Sequence, residues 1–208
     1  MDHAVLQKIV RTLVELEETD APVVSAYLDR THRSDLVPSI RERARQIEGT
    51  LHSSQIHSFR RAVARLEDFV LDYAQPRSQG LAAFVREGED PFFRAAEFEV
   101  PLPTEISVDT VPSVFRLMEL KDNYDRFVVL ISNEREARVL EVSLGSVTRQ
   151  LWTERPELRE RVGREWTKRH YQNHRRHRTD QFIKEKIDIV DRVMRTGGHS
   201  HLILAGNP

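Results

Sequence analysis

Apolar residues recur along this chain with two periods, and each change of period marks a passage between helix and strand. Val5, Leu6, Ile9, Val10, Leu13 and Leu16 repeat at helical spacing, and Asp20 and Pro22 end that helix before Val23 to Leu28, which reads as a strand. A charged helix is predicted from Pro38 to Leu51. Ser58 is placed to cap a second one, in which Phe59, Val63, Leu66, Phe69, Val70 and Tyr73 make the apolar face, so the two form a helical hairpin. Gly80 to Val85, Ala95 to Val100 and Ile106 to Val108 read as strands, the last two separated by Pro101 and Pro103. Pro112 suits the first turn of a short helix carrying Val114, Phe115, Leu117, Met118 and Leu120.

The pattern breaks at Lys121 to Asp125, and a domain boundary is predicted there: an α+β domain over residues 1–123 and a second domain over 124–208. Beyond it, Arg126 to Ser132, Ala137 to Leu144 and Ser146 to Trp152 read as a three-stranded meander with NERE and LGS as its turns. An amphipathic helix from Thr179 to Arg195 follows. Gly197-Gly198 terminates it, and the apolar run LILAG is expected as a buried central strand reached by a crossover, which makes the second sheet mixed. The fold class is therefore α/β: an α+β N-terminal domain, then a mixed-sheet α/β domain. An α/β domain normally continues into another helix after such a strand, so the second domain reads as truncated at Pro208 and the chain as a fragment of a longer protein.

Composition narrows the chemistry more than the partner. Lys plus Arg is 32 against 33 for Asp plus Glu, a net charge of −1, so any attraction to a polyanion must come from a local patch. The chain has no cysteine, which removes disulfides, thiolate nucleophiles and thiolate zinc sites. Its first twenty residues lack the basic start and apolar core of a signal peptide. No stretch approaches the roughly 20 apolar residues of a membrane span. A cytoplasmic protein without a membrane partner or cofactor is expected.

The local patch exists. Between Arg159 and Arg178, positive charge gathers in Arg159, Arg161, Arg164, Lys168, Arg169, Arg175, Arg176 and Arg178, with Trp166 and Tyr171 interleaved. Guanidinium groups donate to phosphate in a planar fork, and aromatic rings stack unpaired bases, so these ten residues are the predicted RNA-binding set. The competing reading is a solvated helix face with Trp166 anchored in the core. His170, His174 and His177 stand at i, i+4 and i+7, a spacing that would let three imidazoles converge on a metal; the flanking arginines oppose a cation, and no metal is expected. No Ser lies in a Gly-x-Ser-x-Gly elbow, and Asp122 and Asp125, which flank Tyr124, read as linker solvation instead of an acid/base dyad. The chain is not expected to be an enzyme.

From Arg126 onward the sequence resembles the middle domain of the archaeal and eukaryotic class-1 peptide-chain release factors and their bacterial relatives. RFVVLISNEREARVLEVSLGSV is similar to that family's opening hairpin, HRRHRTDQFIKEKIDIVDRVM to the helix after its catalytic loop, and GGHSHLILAGNP to the strand ending in Ala-Gly. VVSAYLD and the helical hairpin before QGLAAFV resemble its N-terminal domain. The chain departs from the family in having no Gly-Gly-Gln, no Asn-Ile-Lys-Ser and no Cys for the stop-codon motif. Gly197-Gly198 is followed by His199 and reads as a helix cap. The resemblance implies a ribosome-associated protein that contacts rRNA or tRNA without releasing the peptide, in ribosome hibernation, stalling or rescue. It also implies a translational GTPase partner bound through a C-terminal domain that the chain lacks. Two alternatives stand beside it: a divergent peptidyl-tRNA hydrolase using Gln172, and a non-ribosomal interaction module on the same scaffold.

Overall fold

The computed structural model describes residues 1–31, 36–72, 78–133, 135–154 and 168–206, and of these the side chains of residues 154, 168–176 and 178 are not described. The chain divides into two compact units, Met1–Asp125 with Leu144–Ser146, and Arg126–Ser143 with Val147–Pro208.

The first unit is built on the strands β1 (Val23–Asp29), β2 (Gly80–Arg86), β3 (Phe92–Phe98) and β4 (Glu105–Asp109), ordered β3-β2-β1-β4 and antiparallel throughout. Helices α1 (His3–Val14), α2 (Leu36–Glu48), α3 (Ser53–Asp72) and α4 (Phe115–Asn123) complete it. The register pairs Val24 with Val85, Ala26 with Ala83 and Leu28 with Leu81, and this face packs on Ile40, Phe59, Ala62 and Leu66 of the α2–α3 hairpin. The alternate residues, Tyr27, Ala82 and Phe84, face Leu6, Ile9 and Leu13 of α1 with Leu117 and Leu120 of α4. With helices on both faces, β1 and β2 are buried along almost their whole length, which explains why both read as near-continuous apolar runs, broken only at Ser25 before their last residues.

Two expectations for this unit are corrected. Ser58 does not cap α3; it lies inside the helix, where its hydroxyl donates to the Gln55 carbonyl at 2.9 Å. The helix starts earlier because Gln55 Oε1 accepts the His52 N–H at 3.4 Å, one half of a capping box. Pro112 likewise precedes α4 instead of opening it, and the Val114 carbonyl accepts the first N–H groups of the helix, from Leu117 and Met118.

Arg86 is wholly buried at the end of β2, yet each of its guanidinium nitrogens donates. Nη1 donates to the Glu17 carbonyl at 2.6 Å, Nε to the Asp90 carbonyl at 2.9 Å, and Nη2 to the Asp90 carboxylate. One side chain thus holds the segment after α1 against the β2–β3 turn, which a buried cation can do only when its hydrogen bonds are satisfied.

The second unit contains β5 (Phe127–Ser132), β6 (Glu136–Ser143), β7 (Ser146–Glu154), α5 (Lys168–Gly197) and β8 (His201–Gly206), with strand order β7-β6-β5-β8. β6 runs antiparallel to β5 and β8 parallel to it, so the sheet is mixed. Leu144 and Gly145 link β6 to β7 with φ of 48° and 72°, the left-handed pair that a two-residue hairpin turn requires. α5 covers one face, where Val190 and Val193 meet Val128 and Val139. LILAG does not form a buried central strand. β8 is an edge strand, exposed at every residue. β6 already occupies one side of β5, so a crossover helix can add its strand only at the other; apolar composition alone could not distinguish an edge from a centre.

Candidate functional site

The basic segment belongs to the second unit, and α5 positions it. The helix spans 30 residues, eleven more at its N-terminal end than the apolar pattern alone predicts. The reason lies in the pattern itself. Phe182, Ile189, Val190, Val193 and Met194 repeat only in the C-terminal half, the part held against the sheet, whereas the residues before Phe182 are polar and leave no apolar stripe to read.

At its C-terminal end α5 closes in a Schellman turn. Gly198 has φ of 61°, its N–H bonds the Arg195 carbonyl at 3.3 Å, and the His199 N–H bonds the Met194 carbonyl at 2.9 Å. The Gly-Gly pair is therefore a helix stop. Arg126 Nη1 donates to the Gly197 carbonyl at 3.0 Å, placing a cation at the negative end of the helix. The His199 ring, nearly buried, meets Glu141 Oε1 on β6 at 3.0 Å. Arg149 stands 3.8 Å from the other oxygen of that carboxylate.

Midway along, Lys186 falls in line between Phe182 and Val190, at a position the helical period reserves for an apolar residue. Its ammonium lies 4.1 Å from the Phe182 ring centroid and donates to Ser132 Oγ at 2.6 Å and to the Asn133 carbonyl at 3.3 Å. Glu185 accepts from Thr153 Oγ1 at 3.0 Å. Residues 185 and 186 are thus level with the C-terminal ends of β5 and β7. At about 1.5 Å per residue, Lys168 to Arg178 lie roughly 12 to 27 Å further along the helix, past the end of the sheet.

The predicted RNA-binding residues divide accordingly. Lys168, Arg169, Tyr171, Arg175, Arg176 and Arg178 all lie on α5, and their side chains are outside the described set. Arg159, Arg161, Arg164 and Trp166 lie outside the described residues altogether. Gln172 sits within the helix, as do His170, His174 and His177; of these four side chains only that of His177 is described, and it is exposed. Among the described residues no three His, Cys, Asp or Glu side chains gather as metal ligands. Asp122 lies in the last turn of α4, not in a linker, and Asp125 follows that helix; both are exposed. No described helix is long and apolar enough to cross a membrane.

Sequence reasoning missed the residues that fix α5 on its sheet: Arg126, Glu141, Lys186 and His199. Lysine within an apolar stripe was a readable signal for one of them. The Glu141–His199 pair joins residues 58 positions apart and left none.

Comparison with known proteins locates the likeness in the same region. Residues 112–208, just under half of the chain, match the model of bacterial archaeo-eukaryotic release factor family 10. Among solved structures, an archaeal translation termination factor, aRF1, is similar at 15% identity with a TM-score of 0.49, covering 99% of this chain and 57% of that one. A structure described as an archaeal protein is similar at 15% identity with a TM-score of 0.46, covering 98% of this chain and 57% of that one. The chain thus spans little more than half the length of the structures it matches, and neither score is high enough to establish a shared overall fold. No curated protein matches the chain.

Proposed function

We propose that this release-factor-like chain, matched to bacterial archaeo-eukaryotic release factor family 10 over residues 112–208, is a cytoplasmic protein that binds the ribosome without hydrolysing peptidyl-tRNA. The observation that carries the reading is the coincidence of that match with α5, a helix whose first eleven residues include Lys168, Arg169, Arg175, Arg176 and Arg178. Five cations on three turns of helix form a local positive field on a chain of near-zero net charge, and RNA phosphate is the ligand such a field selects.

Binding without hydrolysis is supported by what the sequence contains. It has no Gly-Gly-Gln, and its one Gly-Gly pair is spent on ending α5. Gln172 lies within α5 between Tyr171 and Asn173, without the glycines that would let the backbone approach an ester carbonyl. Ribosome hibernation, stalling or rescue is the class of role that suits occupancy without chemistry, and recruitment of a translational GTPase through a C-terminal domain belongs to the same reading.

Co-sedimentation of the purified chain with ribosomes at physiological salt tests the binding, and release of labelled peptide from stalled ribosomes tests the chemistry. The expected result is a salt-sensitive pellet fraction and release no faster than in buffer. Failure to pellet favours a non-ribosomal interaction module, and release that Gln172→Ala abolishes favours a hydrolase.

A further inference from the structure

The face of the second sheet opposite α5 carries an exposed aromatic and cation pair. Leu151 packs with the α5-facing core and Thr153 bonds Glu185 of α5, so Trp152, between them, turns to the other face. Arg138 is on that face too, because its partner across the ladder is Ile131, whose neighbour Leu130 joins the core on the α5 side. The Arg138 guanidinium lies 5.9 Å from the Trp152 ring centroid. Trp152 is 57% exposed and Ile131 42%. An indole normally loses most of its water on folding, so one left more than half open, with only Arg138 over its ring, has the form of a stacking surface. Arg138 is paired there only loosely, with Glu136 at 3.9 Å and both side chains open to solvent.

The location gives the platform its partner. Trp152 immediately precedes Thr153 and Ile131 immediately precedes Ser132, the residues that contact Glu185 and Lys186. The platform therefore lies at the end of the sheet past which the basic half of α5 continues. A strand with its phosphates along Lys168 to Arg178 could place a base at Trp152.

We infer that Trp152, with Arg138 beside it and Ile131 on the next strand of the same face, stacks one unpaired base of single-stranded RNA whose backbone is held by the basic half of α5. The inference rests on the proposed RNA contact of that helix and adds to it the feature that separates single strands from duplexes. A π-face accepts any base, and the guanidinium adds a cation–π contact and a phosphate donor. A duplex keeps its bases stacked on one another and offers nothing to the indole. The site should therefore prefer single strands and show little sequence preference.

The test titrates the chain with labelled uridylate and adenylate dodecamers and with an RNA duplex of the same length, following RNA anisotropy and tryptophan emission. Both single strands should bind more tightly than the duplex and should quench the emission. Trp152→Ala should weaken single-strand binding about tenfold or more, with the duplex affinity and the salt dependence unchanged, and Trp152→Phe should retain most of the affinity. If the parent chain binds no RNA, the proposed contact of α5 fails and the platform with it. If the parent binds and Trp152→Ala matches it, or weakens duplex and single strand alike, the platform is overturned while the contact of α5 stands.

Discussion

His199 and Glu141 meet at 3.0 Å, ring Nε2 to carboxylate Oε1, and this one contact ties the residue after the α5 helix stop to an inner strand of its sheet. The ring is only 5% exposed, and its Nδ1 is buried without a hydrogen-bond partner among the described residues. Glu141 therefore supplies the side-chain contact that offsets burial of the imidazole. Removing it in Glu141→Ala should cost about 1–3 kcal/mol, the penalty of an unsatisfied buried polar group, whereas Glu141→Gln keeps an acceptor and should cost less. Urea denaturation measures the loss. Hydrogen exchange at residues 194–199 should speed up before the rest of α5, because the contact holds that end.

Gly198 makes a separate prediction, since its φ of 61° is the only demand on it: a Cβ added there meets nothing closer than the Arg126 guanidinium at 3.9 Å. The cost of Gly198→Ala is then conformational, about 1 kcal/mol, and Gly198→Asn should recover part of it because Asn tolerates the left-handed region. Equilibrium unfolding of the two variants checks the order. Equal stability of all three chains would show that the turn does not decide where α5 ends.

The two glycines illustrate what could be read from the sequence and what could not. Gly197-Gly198 after a helical period marks a stop from local chemistry alone, and the LGS turn is legible for the same reason: backbone preferences act over three or four residues. The elements of the first unit were legible because helices on both faces make β1 and β2 near-continuous apolar runs. The place of β8 was not, because edge or centre depends on which side of β5 is already taken. The basic segment could be named residue by residue, but the apolar period did not show the helix beneath it, which only the family resemblance implied from His174 on, since a polar face all round carries no period. Arg138 and Trp152 come together only through strand pairing and left no trace in their spacing.

Tyr27 links the fold to pH. Its hydroxyl donates to the Ser113 carbonyl at 2.5 Å, its ring packs edge-on against Phe84, and burial, with Glu105 adding to it, raises its pKa well above the ordinary tyrosine value. A neutral phenol is required in the folded chain while the unfolded chain ionises near pH 10, so the contribution is complete below about pH 10 and is lost as pH rises beyond it. Tyr27→Phe should be less stable than the parent at neutral pH by about 1 kcal/mol, the worth of the hydrogen bond. The gap should narrow above about pH 10, because phenylalanine has no proton to lose. Thermal melts of both chains across that range test the sign, and a gap that widens would contradict the burial of a neutral phenol.

Arg175, Arg176 and Arg178 provide the sharpest test of the polyanion reading, because they lie on the part of α5 that runs past the sheet, while the apolar residues that pack on the sheet belong to its other half. Reversing all three to glutamate changes the local charge by six and, if these side chains serve RNA and not the fold, should leave the unfolding midpoint close to that of the parent. RNA affinity should fall steeply. If the three side chains neutralise phosphates, the slope of log affinity against log salt should lessen by about 0.7 for each phosphate of a single strand that is no longer neutralised. Stacking at Trp152 releases no counterion, so Trp152→Ala should lower affinity at constant slope while the charge reversal lowers affinity and slope together. Measuring both variants over one salt series separates phosphate binding from base stacking on the same ligand, and a charge reversal that left the slope unchanged would remove the basic half of α5 from the RNA interface.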